Sequence, residues 1–387
     1  MKRILRKIKK YYSLIKKAVN YQGSIKRKLK FLYFEILALR NGVTFFRVER
    51  VADLYTKDYF DFQDTSKDDK EWAYSHGFSS YKMLPWYGIT MDNYKDYISD
   101  FDFYSAKNYI QNNDILAWFE NKLNTYYLLS PFRESMPRHY WSVMNGRFFP
   151  IDVEDEKIGE CSDVMKTIRE QGPIAAKACY GGHGVGFLKF DYKDKTYFVN
   201  NMECKEDEIK ERILSLNNYI ITDYVKPNSV FEKLCGTNSF AVMRIITVFD
   251  DFDGPQITCS AIRLGCKKAG ITTDHEGTIY CGIGIENGVS FKPLYRVADN
   301  KYVSCPLHPD TNEPLEGFKI PNYDKLKVLV KKISAYLPMT PYLVMDIIPT
   351  EKGFAILEIN SHGQVGNVEP FYPFLANKYN KKVFHIQ

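Results

Sequence analysis

Two apolar runs near the C-terminal end, Val344-Met345-Asp346-Ile347-Ile348 and Phe354-Ala355-Ile356-Leu357-Glu358-Ile359-Asn360, flank the polar turn Thr350-Glu351-Lys352-Gly353. The pattern predicts a β-hairpin. A turn centred near Lys352 sets Asp346 across from Glu358, and strand alternation puts Glu358 and Asn360 on one face. Further strands are predicted at residues 148–151, 173–177, 186–190, 218–225, 239–249 and 256–264, with a turn over 250–254 joining the last two and another hairpin over 282–290. Helical spacing predicts helices over 121–129, 163–170, 205–216 (Ile209, Ile213 and Leu216 on one face) and 323–337 (Leu326, Leu329 or Val330, Ile333, Leu337). Pro131 and Pro137 mark a connection, and residues 308–321 a long polar loop. Residues 31–120, aromatic-rich and mixed, read as mostly helical. At the N-terminus Ile4, Ile8, Tyr11 or Tyr12, Ile15 and Val19 draw one apolar stripe on a helix.

Composition sharpens this picture at a few points. At 387 residues, 45% of them hydrophobic, the chain can bury a large core divided into two or three units. The net charge of +6 is unevenly spread: residues 1–30 hold twelve Lys or Arg and no Asp or Glu, so the remainder is mildly acidic. A basic helix with an apolar stripe suits an anionic membrane surface or a protein partner; it also suits a solvated helix packed on the body. Nucleic acid is not favoured, because the basicity stops at the tail. No apolar run approaches the roughly 20 residues of a bilayer span, and the N-terminus lacks the apolar core of a secretory signal. Eight scattered cysteines without a Cys-x-x-Cys pair point to a reduced, cytosolic setting.

Three stretches carry candidate chemistry. Asp346, Glu358 and Asn360 would gather hard oxygen donors, which suit Mg²⁺ completed by water and nucleotide phosphates; a half-exposed hairpin with scattered polar residues fits the same stretch. In Pro173–Phe190 a strand ends at Lys177 and a loop with Gly181, Gly182, Gly184 and Gly186 returns into a second strand. Glycines let backbone amides approach an anion, and the lysine adds a point charge; an ordinary glycine turn is the alternative. His183 and Cys179 read as bystanders there. Arg244 and Arg263 interrupt apolar strands and must be paired, either in a structural salt bridge or on a phosphate or carboxylate. The strand ending at Asp223-Tyr224-Val225 before Lys226-Pro227 offers backbone groups to an adenine edge, or serves as a linker.

The order of these pieces resembles the ATP-grasp superfamily: Asn121-Lys122-Leu123, Lys177 before a glycine loop, a strand into Tyr224-Val225, Arg244 in a strand, and Asp346 followed by Glu358-Ile359-Asn360. Its finer pattern resembles the sugar-transfer-associated branch, through Met243–Thr247, Ala261–Gly265, His308-Pro309-Asp310-Thr311, Gly317 and Ile320-Pro321. The likeness covers roughly residues 120–365. It implies an α+β ATP-grasp fold, two subdomains (121–225 and 226–387) clasping ATP, behind a basic tail (1–35) and a mostly helical N-terminal domain (36–120). It further implies that Lys122 and Lys177 contact phosphates under a Gly181–Gly186 lid, that Asp223, Tyr224 and Val225 form the adenine hinge, and that Arg244 sits near the transferred phosphate. Asp346, Glu358 and Asn360 would hold Mg²⁺, with Arg263 and Asp274 on the acceptor side. Ala178, His275 and Met345 stand where relatives tend to have Pro, Asn and Trp; the second bears on the acceptor assignment.

The implied activity is an ATP-dependent carboxylate–amine ligase working through an acylphosphate in cell-surface polysaccharide biosynthesis, on a sugar-linked carboxylate or an amino sugar. A sugar phosphotransferase and an ATP-binding scaffold for glycosyltransferases are the alternatives. The expected location is cytoplasmic, with residues 1–30 reaching the inner face of the plasma membrane or a glycosyltransferase.

Overall fold

The computed structural model describes residues 2–105, 118–152, 157–181, 184–236, 240–269 and 275–386, with side chains from residue 11 onward. The chain divides into two units, Met1–Asn112 with Tyr372–Gln387, and Asn113–Phe371.

The first unit is helical: α1 (Lys2–Asn20), α2 (Ile25–Arg40), α3 (Val48–Asp61), α4 (Lys67–Ser75) and the short α5 (Asp100–Phe103). Ser24 and Ser66 cap α2 and α4 by accepting from the Arg27 and Asp69 amides, the usual remedy for orphan N–H groups at a helix start. Phe34, Tyr55 and Tyr74 interlock with ring centroids 5.1–5.4 Å apart, in the edge-on and tilted geometries that aromatic quadrupoles favour. On α1 the packed face is not the expected stripe. Leu14 and Ala18 are buried, whereas Tyr11, Tyr12, Ile15 and Val19 face outward. The C-terminal helix Lys378–Val383 also belongs here, rather than to the second unit as the sequence reading had it: buried Phe384 packs against Phe374 and Phe103.

The second unit holds two seven-stranded antiparallel sheets. The first has β1 (His139–Met144), β2 (Arg147–Pro150), β3 (Ile174–Ala178), β4 (Leu188–Lys193), β5 (Thr196–Val199), β6 (Met202–Cys204) and β7 (Tyr219–Asp223), in the order β2-β1-β7-β3-β4-β5-β6. Helix α6 (Lys122–Leu128) precedes it, and α7 (Cys161–Gln171) and α8 (Glu206–Leu214) bury Val164, Ile168, Ile209 and Ile213 in the same core. The second sheet has β8 (Ala241–Asp250), β9 (Gly254–Leu264), β10 (Ile279–Ile283), β11 (Ser290–Ala298), β12 (Lys301–Ser304), β13 (Tyr342–Thr350) and β14 (Gly353–Asn360), in the order β12-β11-β10-β9-β8-β13-β14. Helices α9 (Ser229–Cys235) and α10 (Tyr323–Tyr336) close its core through Phe231, Leu326, Val330 and Ile333.

Two elements depart from expectation. The stretch read as a connection after Pro137 is β1, because Trp141 and Val143 find partners on β7 and β2, far away in sequence. Residues 229–235, for which the sequence suggested no element, form α9, which Asn228 caps by accepting from the Val230 amide.

Candidate functional site

The expected pair is present: Asp346 lies opposite Glu358 across β13 and β14, although the turn itself pairs Thr350 with Gly353, one residue off the expected register. On its other side Asp346 pairs with Arg244 of β8, so three strands set Arg244, Asp346 and Glu358 in one row. A bulge follows, since Ile347 pairs with Ile356 and Leu357 is the extra residue. Bulges re-aim side chains: Leu357 and Glu358, consecutive in sequence, both line one pocket.

That pocket lies between the sheets. Lys177 of β3, Ile220 and Thr222 of β7 and His139 of β1 line one side, and Ile356, Leu357 and Glu358 of β14 the other, with Lys122 and Thr125 of α6 beside Met136 and Pro137. Lys122 spans it: its Nζ donates to the Gly181 carbonyl at 2.8 Å and lies 3.8 Å from Glu358 Oε1. Asn121 positions this lysine by capping α6, its side chain accepting from the Leu123 amide at 2.9 Å. Lys177 retains some accessible surface, but protein surrounds its ammonium. Burial lowers its pKa to about 8, with Glu358 pulling the other way and Lys122 adding to the fall. His139 stacks on Tyr126 with centroids 3.9 Å apart and puts Nδ1 2.8 Å from the Pro137 carbonyl, which assigns the proton to Nδ1. Burial takes its pKa down to about 4, so it is neutral at physiological pH.

Both strand arginines are committed to one carboxylate. Arg244 Nε and Nη2 reach Asp346 Oδ1 and Oδ2 at 3.0 and 3.1 Å, and Arg263 Nη2 reaches Oδ2 at 3.0 Å. The salt bridge that the sequence allowed is therefore present. The hinge residues are pinned. The Asp223 carboxylate accepts from Tyr140 at 2.6 Å, and the Asp223 and Tyr224 amides donate to the Arg138 and Pro173 carbonyls. The Val225 amide takes no part in either bond. In the glycine loop Gly186 has φ +76°, and a Cβ there would come within 2.5 Å of Tyr219 Oη, so a side chain would be strained and would displace the tyrosine. Gly181 and Gly184 also have positive φ. Gly182, His183 and Asp274 lie outside the described residues.

The donor set fits Mg²⁺ in part. Glu358 and Asn360 alternate along β14 and supply a carboxylate and an amide carbonyl, enough for an ion that keeps waters and takes phosphate oxygens. Asp346 already accepts from two guanidiniums. No group of three His, Cys, Asp or Glu forms a ready-made metal cluster among the described residues.

Sequence reading missed the apolar and aromatic lining. Ile356 and Leu357 read as core, and His139 fell in the supposed connection. Their signal was position, next to Glu358 and on a strand pairing with β7.

Comparison with solved structures returns distant likenesses. One is the ADP complex of an N5-carboxyaminoimidazole ribonucleotide synthetase (10% identity, 66% of this chain and 48% of that one, TM-score 0.34). Others are D-alanyl-alanine synthetase A from Vibrio cholerae (12%, 67% and 59%, 0.36) and a biotin carboxylase from Campylobacter jejuni (12%, 70% and 46%, 0.38). The chain thus spans between 46 and 59% of the length of these proteins. No curated protein matches. The profile of a family described as sugar-transfer associated ATP-grasp matches residues 103–369. That span takes in both sheets, the glycine loop and the Asp346–Asn360 hairpin, and the chain belongs to this family.

Proposed function

We propose that the protein is an ATP-dependent carboxylate–amine ligase of cell-surface polysaccharide biosynthesis, joining a sugar-linked carboxylate or an amino sugar through an acylphosphate. The observation that carries this reading is the convergence of Lys122, Lys177 and Glu358 on one pocket between two sheets, with Asp346 one strand and Arg244 two strands from Glu358. A substrate carboxylate oxygen attacks the γ-phosphorus of ATP, the bond to the bridging oxygen breaks, and ADP leaves. The amine then attacks the acyl carbon, phosphate departs, and the amine loses a proton. Neither step needs a protein nucleophile. Both need cations aimed at the phosphoryl oxygens, the electrostatic stabilisation that dominates such transfers.

In this reading Lys122 and Lys177 bind the phosphates, and the loop from Gly181 to Gly186 excludes water from the acylphosphate. Arg244, ordered by Asp346, faces the transferred group, and Arg263 with Asp274 serves the acceptor. Glu358 and Asn360, beside Asp346, would hold Mg²⁺, which supplies charge neutralisation on the phosphates when bound.

The test is ³¹P NMR of the protein with Mg²⁺-ATP and pooled nucleotide sugars, uronic acids and amino acids, with mass spectrometry of the products. ADP, free phosphate and a new amide are expected. ADP with a phosphorylated sugar would instead make it a phosphotransferase. Glu358→Gln should lower kcat by about 10²-fold or more, the scale of losing a charge-stabilising group; turnover equal to wild type would remove the hairpin from the site.

A further inference from the structure

The helical unit carries an apolar surface that its own packing does not use. On α1, Leu14 and Ala18 turn inward, while Tyr11, Tyr12, Ile15 and Val19 stay outside at 51–69% exposure. Lys16 falls among them, since positions 12, 15, 16 and 19 follow the i, i+3, i+4, i+7 spacing of one helix face. Helix α2 repeats the arrangement. Phe31, Phe34 and Ala38 are buried, while Ile25, Leu29 and Tyr33 recur every four residues at 52–78% exposure, with exposed Lys26 beside them. Two helices joined by four residues thus each pair a packed face with an apolar, lysine-bearing outer one.

Charge names the occupant. Residues 1–30 contain twelve Lys or Arg and no Asp or Glu, six of the twelve within residues 2–10. Some basic groups serve the fold: Lys17 bridges Glu49 at 2.7 Å, and Arg27 holds Asp61 through two hydrogen bonds of 2.7 and 2.8 Å. Lys16 and Lys26 point outward with the tyrosines and aliphatics. Aliphatic side chains flanked by tyrosine and lysine match a bilayer interface, where the apolar body enters the acyl boundary, the phenol stays at headgroup level and the ammonium meets lipid phosphate. A protein groove could bury the aliphatics, but it would have to be strongly acidic to answer this charge.

We propose that the outer faces of α1 and α2 form a peripheral docking surface for an anionic lipid bilayer. Each basic side chain close to such a surface strengthens partition roughly fivefold, so attraction depends on salt while insertion of Ile15, Val19, Ile25 and Leu29 does not.

The full chain would be floated with phosphatidylglycerol–phosphatidylcholine vesicles and, separately, with pure phosphatidylcholine vesicles. Wild type is expected to bind the anionic vesicles and to be released by high salt. Ile25→Asp with Leu29→Asp, both exposed, should weaken binding at least about tenfold with an unchanged circular dichroism spectrum and melt. As a reading independent of that variant, Tyr12→Trp should show a blue-shifted emission on anionic vesicles alone. Equal binding to both vesicle types, or equal binding of the double variant, would overturn the proposal. Absence of vesicle binding would also overturn it, and self-association lost in the double variant would then assign the face to a second copy of the chain.

Discussion

In the proposed function Lys177 would respond to nucleotide. Burial holds its pKa near 8, and a phosphate at its ammonium restores the charged form. At pH 8 the free site is therefore about half protonated there, and ATP binding should take up about half a proton. Calorimetry in buffers of different ionisation enthalpy measures this directly, and Lys177→Arg should abolish the buffer dependence. ATP affinity should fall as pH rises through about 8 in wild type and stay flat in the arginine variant. His139 responds on the acid side. Its folded-state pKa of about 4 lies below the ordinary histidine value, so the unfolded chain binds the proton more readily between the two. The stabilisation from keeping it neutral is complete above about pH 6.5 and is lost as pH falls toward 4, up to about 3 kcal/mol. Denaturant melts across that range should show the slope in wild type and a shallower one in His139→Gln. Glu358, Lys177 and Arg244 stood out in the sequence because each is a charged residue among apolar neighbours. His139 did not, because its role comes from stacking on Tyr126 and from the strand beside it.

The hairpin of β13 and β14 was legible as an element because its two apolar runs, its turn chemistry and its length agree. The Asp346–Glu358 pairing needs more than the turn: counting back from Thr350 opposite Gly353 sets Asp346 against Leu357, and the bulge moves Glu358 into place. The bulge at Leu357 was not legible: an extra residue leaves no mark in the hydrophobic pattern until a partner strand fixes the count. The glycine loop shows the same division. Its glycines announce a tight return, but the link from Lys122 to the Gly181 carbonyl joins residues 59 positions apart. Helix α1 makes the point from the other direction. Its outward stripe was plain in the sequence, whereas the face that packs, Leu14 with Ala18, is too small to dominate the periodicity.

For the whole molecule, the strands beside the glycine loop, the β8–β9 pair, α10 and the β13–β14 hairpin could be read from their own turn residues, whereas β1, β5, β6, α9 and β12 could not. The return of residues 372–387 to the helical unit could not, because nothing local in that segment names its partner. Its aromatic packing gives a test. Phe384, 3% exposed, lies with ring centroids 5.6 Å from Phe103 and 5.3 Å from Phe374. Phe384→Ala should destabilise the helical unit by about 3 kcal/mol. Hydrogen exchange would report it as faster deuterium uptake over residues 100–103 and 374–384, with uptake across the second sheet unchanged. Equal acceleration in both units would mean that they unfold as one.

The row formed by Arg244, Asp346 and Glu358, with Lys122, Lys177 and Arg263 around it, has an electrostatic consequence of its own. Four cations face two carboxylates, a formal excess of two positive charges while Lys177 is protonated. ATP bound to a single divalent cation carries two negative charges, so the loaded site would be close to neutral while the empty one acts as a weak anion trap. Nucleotide capture should therefore slow as ionic strength rises, because salt screens the approach of an anion to a partly exposed site. Above pH 8 the excess drops toward one, and the salt dependence of capture should flatten with it.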